Sequence, residues 1–369
     1  MTDEKLKLPL YLKASVFFVG LCALTAILYI AKFIIVPVVF AVIIAIVLHP
    51  VVNFFVRKKI NRVVGILISI FFTFLIIAAL GTLIITQAGR FSDSLPGLID
   101  KFTGMINEAV SWASNYFDIK PQKIQEWITK TRVDLMNSGS AAIGQTLTIV
   151  GGGLVVVFLL PVYIFLILLY HPILIEFIHR LFGATNKDKV SKIVTQIKNV
   201  IQQYLIGLGI EAGIMAILNT SALLIIGIEY AFLLGIISAL ANVIPYIGGI
   251  VGVALPMIVA LATKSSAWYA IYVWIAFYAI QLIDNNYIVP KIVASKVKIN
   301  ALFSIIVVFA GNALWGIPGM FLSIPILAIV KLICDNIEPL KPWGFLLGDT
   351  MPPLLKIKPL LKKILKPSA

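Results

Sequence analysis

Two long apolar stretches constrain the fold of this chain more than any other feature. Residues 63–86 and 147–170 each run 24 positions without a charged side chain, and about 20 such residues suffice for a helix to cross a bilayer. A water-soluble domain could not cover so much apolar surface, because 60% of all residues are hydrophobic and only 12% are charged. The sequence lacks the alternating segments of about 10 residues that form transmembrane barrels. It therefore predicts an all-α, polytopic transmembrane protein.

Two further apolar stretches, residues 231–263 and 301–330, are each interrupted near their middle. The interrupting residues of the first stretch are Asn242, Pro245, Gly248, Gly249 and Pro256. Those of the second stretch are Gly311, Asn312, Gly316, Pro318, Gly319 and Pro325. Each stretch exceeds the ~20 residues of one upright span, so it forms either a long kinked span or a re-entrant hairpin that leaves on the side where it entered. The pattern predicts about six full spans plus two broken helical hairpins, or about eight spans if the hairpins cross.

The net charge of +14 arises from 30 basic and 16 acidic residues, and the basic surplus is concentrated in a few segments. Residues 57–62, 171–200 and 354–366 are rich in Lys and Arg, whereas residues 90–145 balance both signs. Because cytoplasmic loops carry the basic excess, this distribution predicts cytoplasmic termini and an extracytoplasmic 90–145 region. Anionic lipid accounts for the basic surfaces, and no nucleic-acid partner is predicted.

The alternation of apolar and polar segments predicts a division into consecutive regions. They are N-terminal membrane spans (1–89), an amphipathic extracytoplasmic helical region (90–145), a span with a cytoplasmic amphipathic segment (146–200), a transport core with both broken hairpins (201–335) and a basic cytoplasmic tail (336–369). Apolar residues at helical spacing in the external region suit helices that lie against the membrane or against neighbouring subunits. That region is either a packed connector or a gating element.

The interruptions of the two broken stretches predict a binding site for a small polar solute. Irregular backbone at membrane depth is tolerated only where it is buried in protein or lines an aqueous cavity. Proline removes a backbone donor and glycine permits positive φ, so backbone groups are freed to face a ligand. Helix kinks with packing roles are the alternative. The predicted solute-binding residues are Asn242, Pro245, Tyr246, Gly248, Gly249, Asn312, Gly316, Pro318 and Gly319.

Two acidic residues lie in or beside apolar segments of the predicted transport core. Glu211 lies within residues 204–228, and Asp284 follows Gln281 near the end of the apolar segment 268–287. An acid at the centre of a span costs roughly 2.5–3.5 kcal/mol on insertion scales and therefore usually has a function. We predict that Glu211, Asp284 and Gln281 couple transport to a proton or a sodium ion. The alternatives are an interfacial acid paired with lysine for Glu211 and a helix cap for Asp284.

Several motifs in the transport core resemble those of a known family. They are Ile244-Pro245-Tyr246-Ile247-Gly248 followed by Pro256, then Asp284 followed by Val289-Pro290-Lys291, and finally the run from Gly316 through Pro318 and Gly319 to Pro325. Together they resemble the autoinducer-2 exporter family of bacterial membrane proteins. The resemblance implies export of small polar molecules such as autoinducer-2 across the cytoplasmic (inner) membrane. It also implies sodium/proton antiport in some members, and homo-oligomers such as pentamers.

The sequence therefore leaves three functions open for this chain. The first is an ion- or proton-coupled exporter of small polar solutes. The second is a sodium (lithium)/proton antiporter, and the third is a non-transporting membrane scaffold that recruits partners through its external helices. The sequence contains no P-loop, dinucleotide fingerprint, nucleophile elbow or zinc motif. We therefore predict that the protein is not an enzyme and uses no cofactor or metal.

Overall fold

The computed structural model describes residues 9–117, 154–181, 187–244, 248–264, 266–293 and 299–349. Within these ranges the backbone is helical apart from turns and one β-bridge, which confirms the all-α prediction. The helices are α1 (Leu10–Ile30), α2 (Lys32–Arg57), α3 (Arg62–Phe117), α4 (Leu154–Leu169), α5 (His171–Leu181), α6 (Lys187–Ile226), α7 (Ala231–Asn242), α8 (Gly248–Thr263), α9 (Trp268–Ile283), a π-helix (Asp284–Val293), α10 (Ala301–Trp315), α11 (Ile317–Asn336), a 3-10 turn (Glu338–Leu340) and α12 (Lys341–Leu347).

Four of the described helices are long and apolar enough to cross a bilayer. They are α2, the first part of α3 (Arg62–Phe91), most of α6 (Val190–Ile226) and α11. A fifth candidate is the pair of α4 and α5, which meet at a bend of 64°. The described part of the chain is therefore polytopic, as the sequence predicts.

Helix α3 continues well beyond its membrane span. It runs unbroken for 56 residues, which is about 84 Å of helix and far more than the ~30 Å apolar core of a bilayer. The predicted boundary at residue 90 thus lies inside one helix, and the remainder of the predicted external region, residues 118–145, lies outside the described ranges. At the end of the span, Phe91 packs edge-on against Tyr230, and one turn further the Ser94 hydroxyl oxygen is 2.6 Å from that of Tyr230. The extension is thereby attached to the turn that precedes α7.

One apolar core joins the N-terminal spans. Helices α2, α3 and α4 all contribute buried side chains to it, and the small residues of α2 allow the helices to approach closely. These core residues are Ala41, Ala45, Leu48, Val52, Ile66, Ile70, Ile164 and Leu168. A second core lies around the C-terminal end of α6 and buries Leu223 with residues of α7, α8 and α9. Helix α6 contacts both α2 and helices of the two hairpins.

The first broken stretch folds back on itself as a helical hairpin of α7 and α8. The Ser238 hydroxyl donates to the Gly252 carbonyl oxygen at 2.5 Å, and a Cβ at Gly248 would overlap the backbone of Asn242. The two arms have 12 and 16 residues, about 18 and 24 Å, so neither arm crosses the ~30 Å apolar core by itself. The first stretch is therefore a hairpin with short arms rather than one kinked span.

The second broken stretch forms a hairpin of α10 and α11. The Ser323 hydroxyl donates to the Val307 carbonyl oxygen at 2.8 Å, and a Cβ at Gly319 would overlap the Gly311 carbonyl. Gly316 turns the chain between the arms with φ +67°, a conformation that favours glycine. Because α11 has 20 residues, it is long enough to cross the bilayer. By length, the second hairpin therefore fits the prediction in which a hairpin crosses the bilayer, and the first hairpin does not.

Both hairpins are fixed by close contacts with other elements. Gly235 of α7 touches Thr220 of α6 so closely that an added Cβ would overlap the threonine. The turn of the second hairpin is held at α1, where Trp315 Nε1 donates to the Leu28 carbonyl oxygen at 3.0 Å. The small residue at the first contact allows the helix backbones to approach each other. The first hairpin is thus docked by packing, and the turn of the second is docked by a hydrogen bond.

Candidate functional site

A π-helix begins at Asp284, where α9 would otherwise continue. It extends to Val293 and contains Pro290, which lacks a backbone donor. Helix α6 crosses this segment closely, because a Cβ at Gly207 would lie 2.6 Å from the Ile292 carbonyl oxygen. π-Helical turns are rare and often occur at functional sites. Here the wider helix places Asp284 at a junction between α6, α7 and α9.

One amide side chain links both predicted coupling acids. Asn242 Nδ2 donates to Glu211 Oε1 at 3.2 Å and to Asp284 Oδ2 at 3.0 Å. Its NH₂ group has one hydrogen for each carboxyl group. Gln281 Nε2 adds a weaker bond to the same Asp284 oxygen at 3.3 Å. The last residue of α7 therefore holds together an acid of α6 and the first acid of the π-helix.

Both carboxyl groups are buried without a cationic partner among the described residues. Glu211 is 5% exposed and Asp284 is 1% exposed, and the ion pairs within the described ranges involve other side chains. Asp284 Oδ1 hydrogen bonds to no described residue. Burying an unpaired charge is costly, and two carboxylates joined through one amide add their mutual repulsion. The arrangement is suited to taking up a proton or a cation.

These polar groups line a cavity of about 550 Å³. Its wall combines carboxyl and amide groups with apolar side chains, as expected of sites for small organic molecules. The second hairpin contributes to this wall from its arms rather than from its turn. The lining residues are Tyr204, Leu208, Glu211, Asn242, Val243, Gly249, Gln281, Asp284, Asn285, Val289, Val293, Ile299, Ser304 and Ile324.

The structure brings some of the predicted site residues together and places others elsewhere. Asn242, Gly249, Glu211, Gln281 and Asp284 line the cavity. Gly248 closes the first hairpin against its other arm, while Pro245 and Tyr246 lie outside the described ranges.

The predicted site residues near the second turn do not line this cavity. Asn312 and Pro318 are exposed, Gly316 forms the turn, and Gly319 is buried against Gly311. The physical reason is that this turn is attached to α1, whereas the described residues that follow α7 pack against the arms of the second hairpin. Val243 and Ile244 contact the buried cluster that includes Val308, Met320 and Ile324.

Sequence reasoning did not identify several residues of the cavity wall. Asn285 continues the polar run begun by Asp284, and this run was a usable signal. Tyr204, Leu208 and Ser304 carried no such signal, because similar residues occur throughout the apolar helices. Their position at the cavity depends on how α6 and α10 are rotated.

Comparison with known proteins places this arrangement in a family. Residues 18–338 match the family described as AI-2E family transporter, which is most of the chain and includes every described cavity residue. The chain belongs to the AI-2E transporter family. It is 24% identical over 314 residues to the putative transport protein YueF of Bacillus subtilis, covering 82% of this chain and 83% of YueF. It is 22% identical over 324 residues to the AI-2 transport protein TqsA of Escherichia coli, covering 86% and 90%.

Another relative matches a shorter part of the chain at higher sequence identity. A putative transport protein of Borreliella burgdorferi is 31% identical over 156 residues, which is 42% of this chain and 43% of that protein. The match to a transporter family confirms the resemblance inferred from the hairpin motifs. AI-2E membership and the apolar helices together identify a multi-pass membrane protein of a transporter family.

Proposed function

We propose that this protein is a secondary transporter that exports a small polar solute across the bacterial inner membrane, driven by a proton or sodium ion bound at Glu211 and Asp284. The observation that carries the proposal is the bond of one hairpin amide, Asn242, to both buried carboxyl groups at 3.2 and 3.0 Å. The cavity of about 550 Å³ beside them has the size of a small-molecule site. TqsA, whose name describes AI-2 transport, is similar along most of its length, which supports autoinducer-2 as a candidate solute.

The coupling mechanism follows from competition for carboxylate oxygens. An ionised carboxylate accepts stronger hydrogen bonds than a neutral one, so Asn242 is held most firmly when Glu211 and Asp284 are charged. A proton or sodium ion that occupies the same oxygens weakens that attachment. The end of α7 and the turn after it then move relative to α6 and the π-helix, which opens the cavity to one side of the membrane.

The remaining parts of the proposal concern assembly and orientation. The basic segments support cytoplasmic positions for both termini. We further propose a homo-oligomer, as the family resemblance implies. Pro245, Tyr246 and Gly249 belong to the first hairpin and are proposed to contribute to solute binding together with Asn242. Asn312, Gly316, Pro318 and Gly319 are proposed to act at the second hairpin's turn, which lies apart from this cavity.

The test uses proteoliposomes that contain the purified full-length protein. Autoinducer-2 is loaded inside, a pH or sodium gradient is imposed, and solute efflux is measured. Glu211→Gln keeps the size of the side chain but removes its charge, and we expect efflux to fall at least about tenfold, the effect of losing roughly 1.4 kcal/mol of interaction. The matched control is Glu229→Gln, because Glu229 is an exposed acid in the turn before α7. Equal efflux from Glu211→Gln and the unaltered protein would contradict the proposed coupling site.

A second candidate, a sodium (lithium)/proton antiporter, is favoured by the two carboxyl groups in one cavity. It predicts that sodium or lithium added outside moves protons in vesicles that contain no organic solute. A pH-sensitive dye trapped inside reports this movement. Cation-driven proton movement without solute efflux would favour the antiporter over the exporter. If neither activity is observed for the folded protein, the scaffold hypothesis replaces both.

A further inference from the structure

A second polar cluster lies apart from the carboxyl groups, in the N-terminal part of α6. Side chains from α2, α3, α5 and α6 meet there: His49, Arg62, His171 and Lys198. All four are partly buried. None of them takes part in the proposed transport mechanism, so the cluster requires its own explanation.

Direct contacts hold the cluster together. Lys198 Nζ and His49 Nδ1 are 3.0 Å apart, and the rings of His49 and His171 are 4.8 Å apart between centroids. Because a lysine can only donate, His49 Nδ1 is the acceptor, and neutral His49 carries its hydrogen on Nε2. Arg62 Nη2 donates to the Leu168 carbonyl oxygen at 2.8 Å. The cluster therefore fixes the junction at which α4 bends into α5.

The cluster combines cations and hydrogen-bond donors without an acidic partner. Arg62, His171 and Lys198 are all close enough to act electrostatically on His49. The ion pairs found among the described residues involve none of these four side chains. Lysine and arginine that leave water usually gain a partner of opposite charge. The two cations Arg62 and Lys198, gathered beside two histidine rings, would be stabilised by an anion.

Helix geometry adds to the positive potential. Helix α3 begins at Arg62 and α5 begins at His171, so the positive ends of two helix dipoles lie at the cluster. The negative end of α4 lies there too, and Arg62 compensates it through its bond to the Leu168 carbonyl oxygen. The same corner of the protein carries Arg57, Lys58 and Lys59 between the ends of the spans α2 and α3. The ends of spans lie at the depth of lipid phosphates, and basic pockets between spans there bind anionic headgroups.

We propose that His49, Arg62, His171 and Lys198 form a binding site for a phosphate-bearing anion at the membrane interface. The phosphate belongs either to the headgroup of an anionic phospholipid or to free inorganic phosphate. The bound anion bridges the bundle of α2, α3 and α4 to α6. Glu211, the acid of the proposed coupling site, lies on α6 as well. A bound anion would therefore restrict the movement of the helix that carries Glu211.

The experiment measures anion binding by the purified full-length protein in a zwitterionic detergent. Phosphatidylglycerol, phosphatidylcholine and inorganic phosphate are titrated separately at constant ionic strength. The shift in the midpoint of thermal unfolding gives an apparent Kd for each, and native mass spectrometry counts the lipids that remain bound. Lys198→Gln removes one charge but keeps a hydrogen-bond donor. Lys192→Gln is the matched control, because Lys192 is an exposed lysine on the same helix.

We expect phosphatidylglycerol to bind more tightly than phosphatidylcholine, and Lys198→Gln to weaken that binding about tenfold, as for the loss of one charge-assisted contact. Lys192→Gln leaves the Kd unchanged. The same pattern with inorganic phosphate supports the site with free phosphate as its occupant. Equal weakening by both variants overturns the proposal, and so does equal binding of phosphatidylglycerol and phosphatidylcholine by an unaltered protein that also binds no inorganic phosphate. If Lys198→Gln does not fold, His171→Gln is read in the same way.

Discussion

The attachment of the first hairpin to the coupling acids depends on one side chain, and this makes a quantitative prediction. Replacing Asn242 with alanine removes the bonds to Glu211 Oε1 and Asp284 Oδ2. Glu211 then loses its hydrogen-bond donor among the described residues, whereas Asp284 retains the 3.3 Å bond from Gln281. A hydrogen bond to a charged group contributes about 1.5–3 kcal/mol. Glu211 loses one full bond and Asp284 loses less. We therefore expect the free energy of local opening at the end of the hairpin to fall by roughly 3 kcal/mol.

Amide hydrogen exchange measures this change directly, because local opening sets the exchange rate of protected amides. A loss of roughly 3 kcal/mol corresponds to exchange about 100-fold faster in residues 238–244 and 248–252. Asn312→Ala is the matched control, since it makes the same substitution at an exposed position of the other hairpin. Unchanged exchange in Asn242→Ala, or an equal increase in Asn312→Ala, would refute the view that this amide fastens the first hairpin.

Two further predictions concern the packing of the hairpins. Gly319→Ala places a Cβ against the Gly311 carbonyl, and we expect a loss of about 1–3 kcal/mol from overpacking, measured as a lower midpoint of thermal unfolding. Gly209→Ala adds a Cβ that meets nothing within 4 Å, and because alanine favours a helix interior more than glycine does, the midpoint should not fall. A lower midpoint for Gly209→Ala than for Gly319→Ala would count against the close contact between α10 and α11. Tyr230→Phe removes the 2.6 Å contact with Ser94 at a cost of about 1 kcal/mol, so exchange near residue 230 should rise about fivefold, whereas exchange at the second hairpin stays the same.

The hairpins were predictable because their sequence signals are local. Glycine and proline interrupt otherwise apolar segments, and the turn at Gly316 needs positive φ. The acids of the cavity wall stood out in the sequence for a similar reason, since an acid in or beside an apolar segment is costly. The structure places Glu211 and Asp284 at one cavity, a juxtaposition the sequence could only suggest.

The roles of the two asparagines were not predictable. Asn242 and Asn312 are chemically equal and lie at similar places in their stretches, but only Asn242 lines the cavity. The difference arises from tertiary contacts, because Gly311 and Gly319 set the approach of α10 and α11, and Trp315 attaches their turn to α1. A pattern of interruptions marks where a helix breaks but does not give the rotation of the helix about its axis.

Other features depend on contacts between distant parts of the chain. His49 and Lys198 are 149 positions apart, and no spacing rule connects them. The continuation of α3 past residue 90 was hidden by a change in polarity, which signals the membrane surface and not the end of a helix. Two local signals mark the π-helix in the sequence: the polar run that follows Ile283, and Pro290. Neither signal specifies a wider helix.

The distribution of contacts within the first hairpin bears on how coupling could operate. Its arms are fixed by apolar packing and by close glycine contacts at Gly235 and Gly252, which an ion in the cavity does not alter. Its end is fixed by Asn242 through carboxylate oxygens, which are the atoms that a proton or sodium ion would occupy. On the proposed function, ion binding and hairpin attachment therefore compete for the same atoms. Linkage is reciprocal, so a variant that loosens the end of α7 without touching the acids must bind the coupling ion more tightly. Asn242→Ala should therefore lower the apparent Kd for sodium while slowing efflux, and a weaker affinity for sodium in that variant would show that the amide is an ion ligand rather than its competitor.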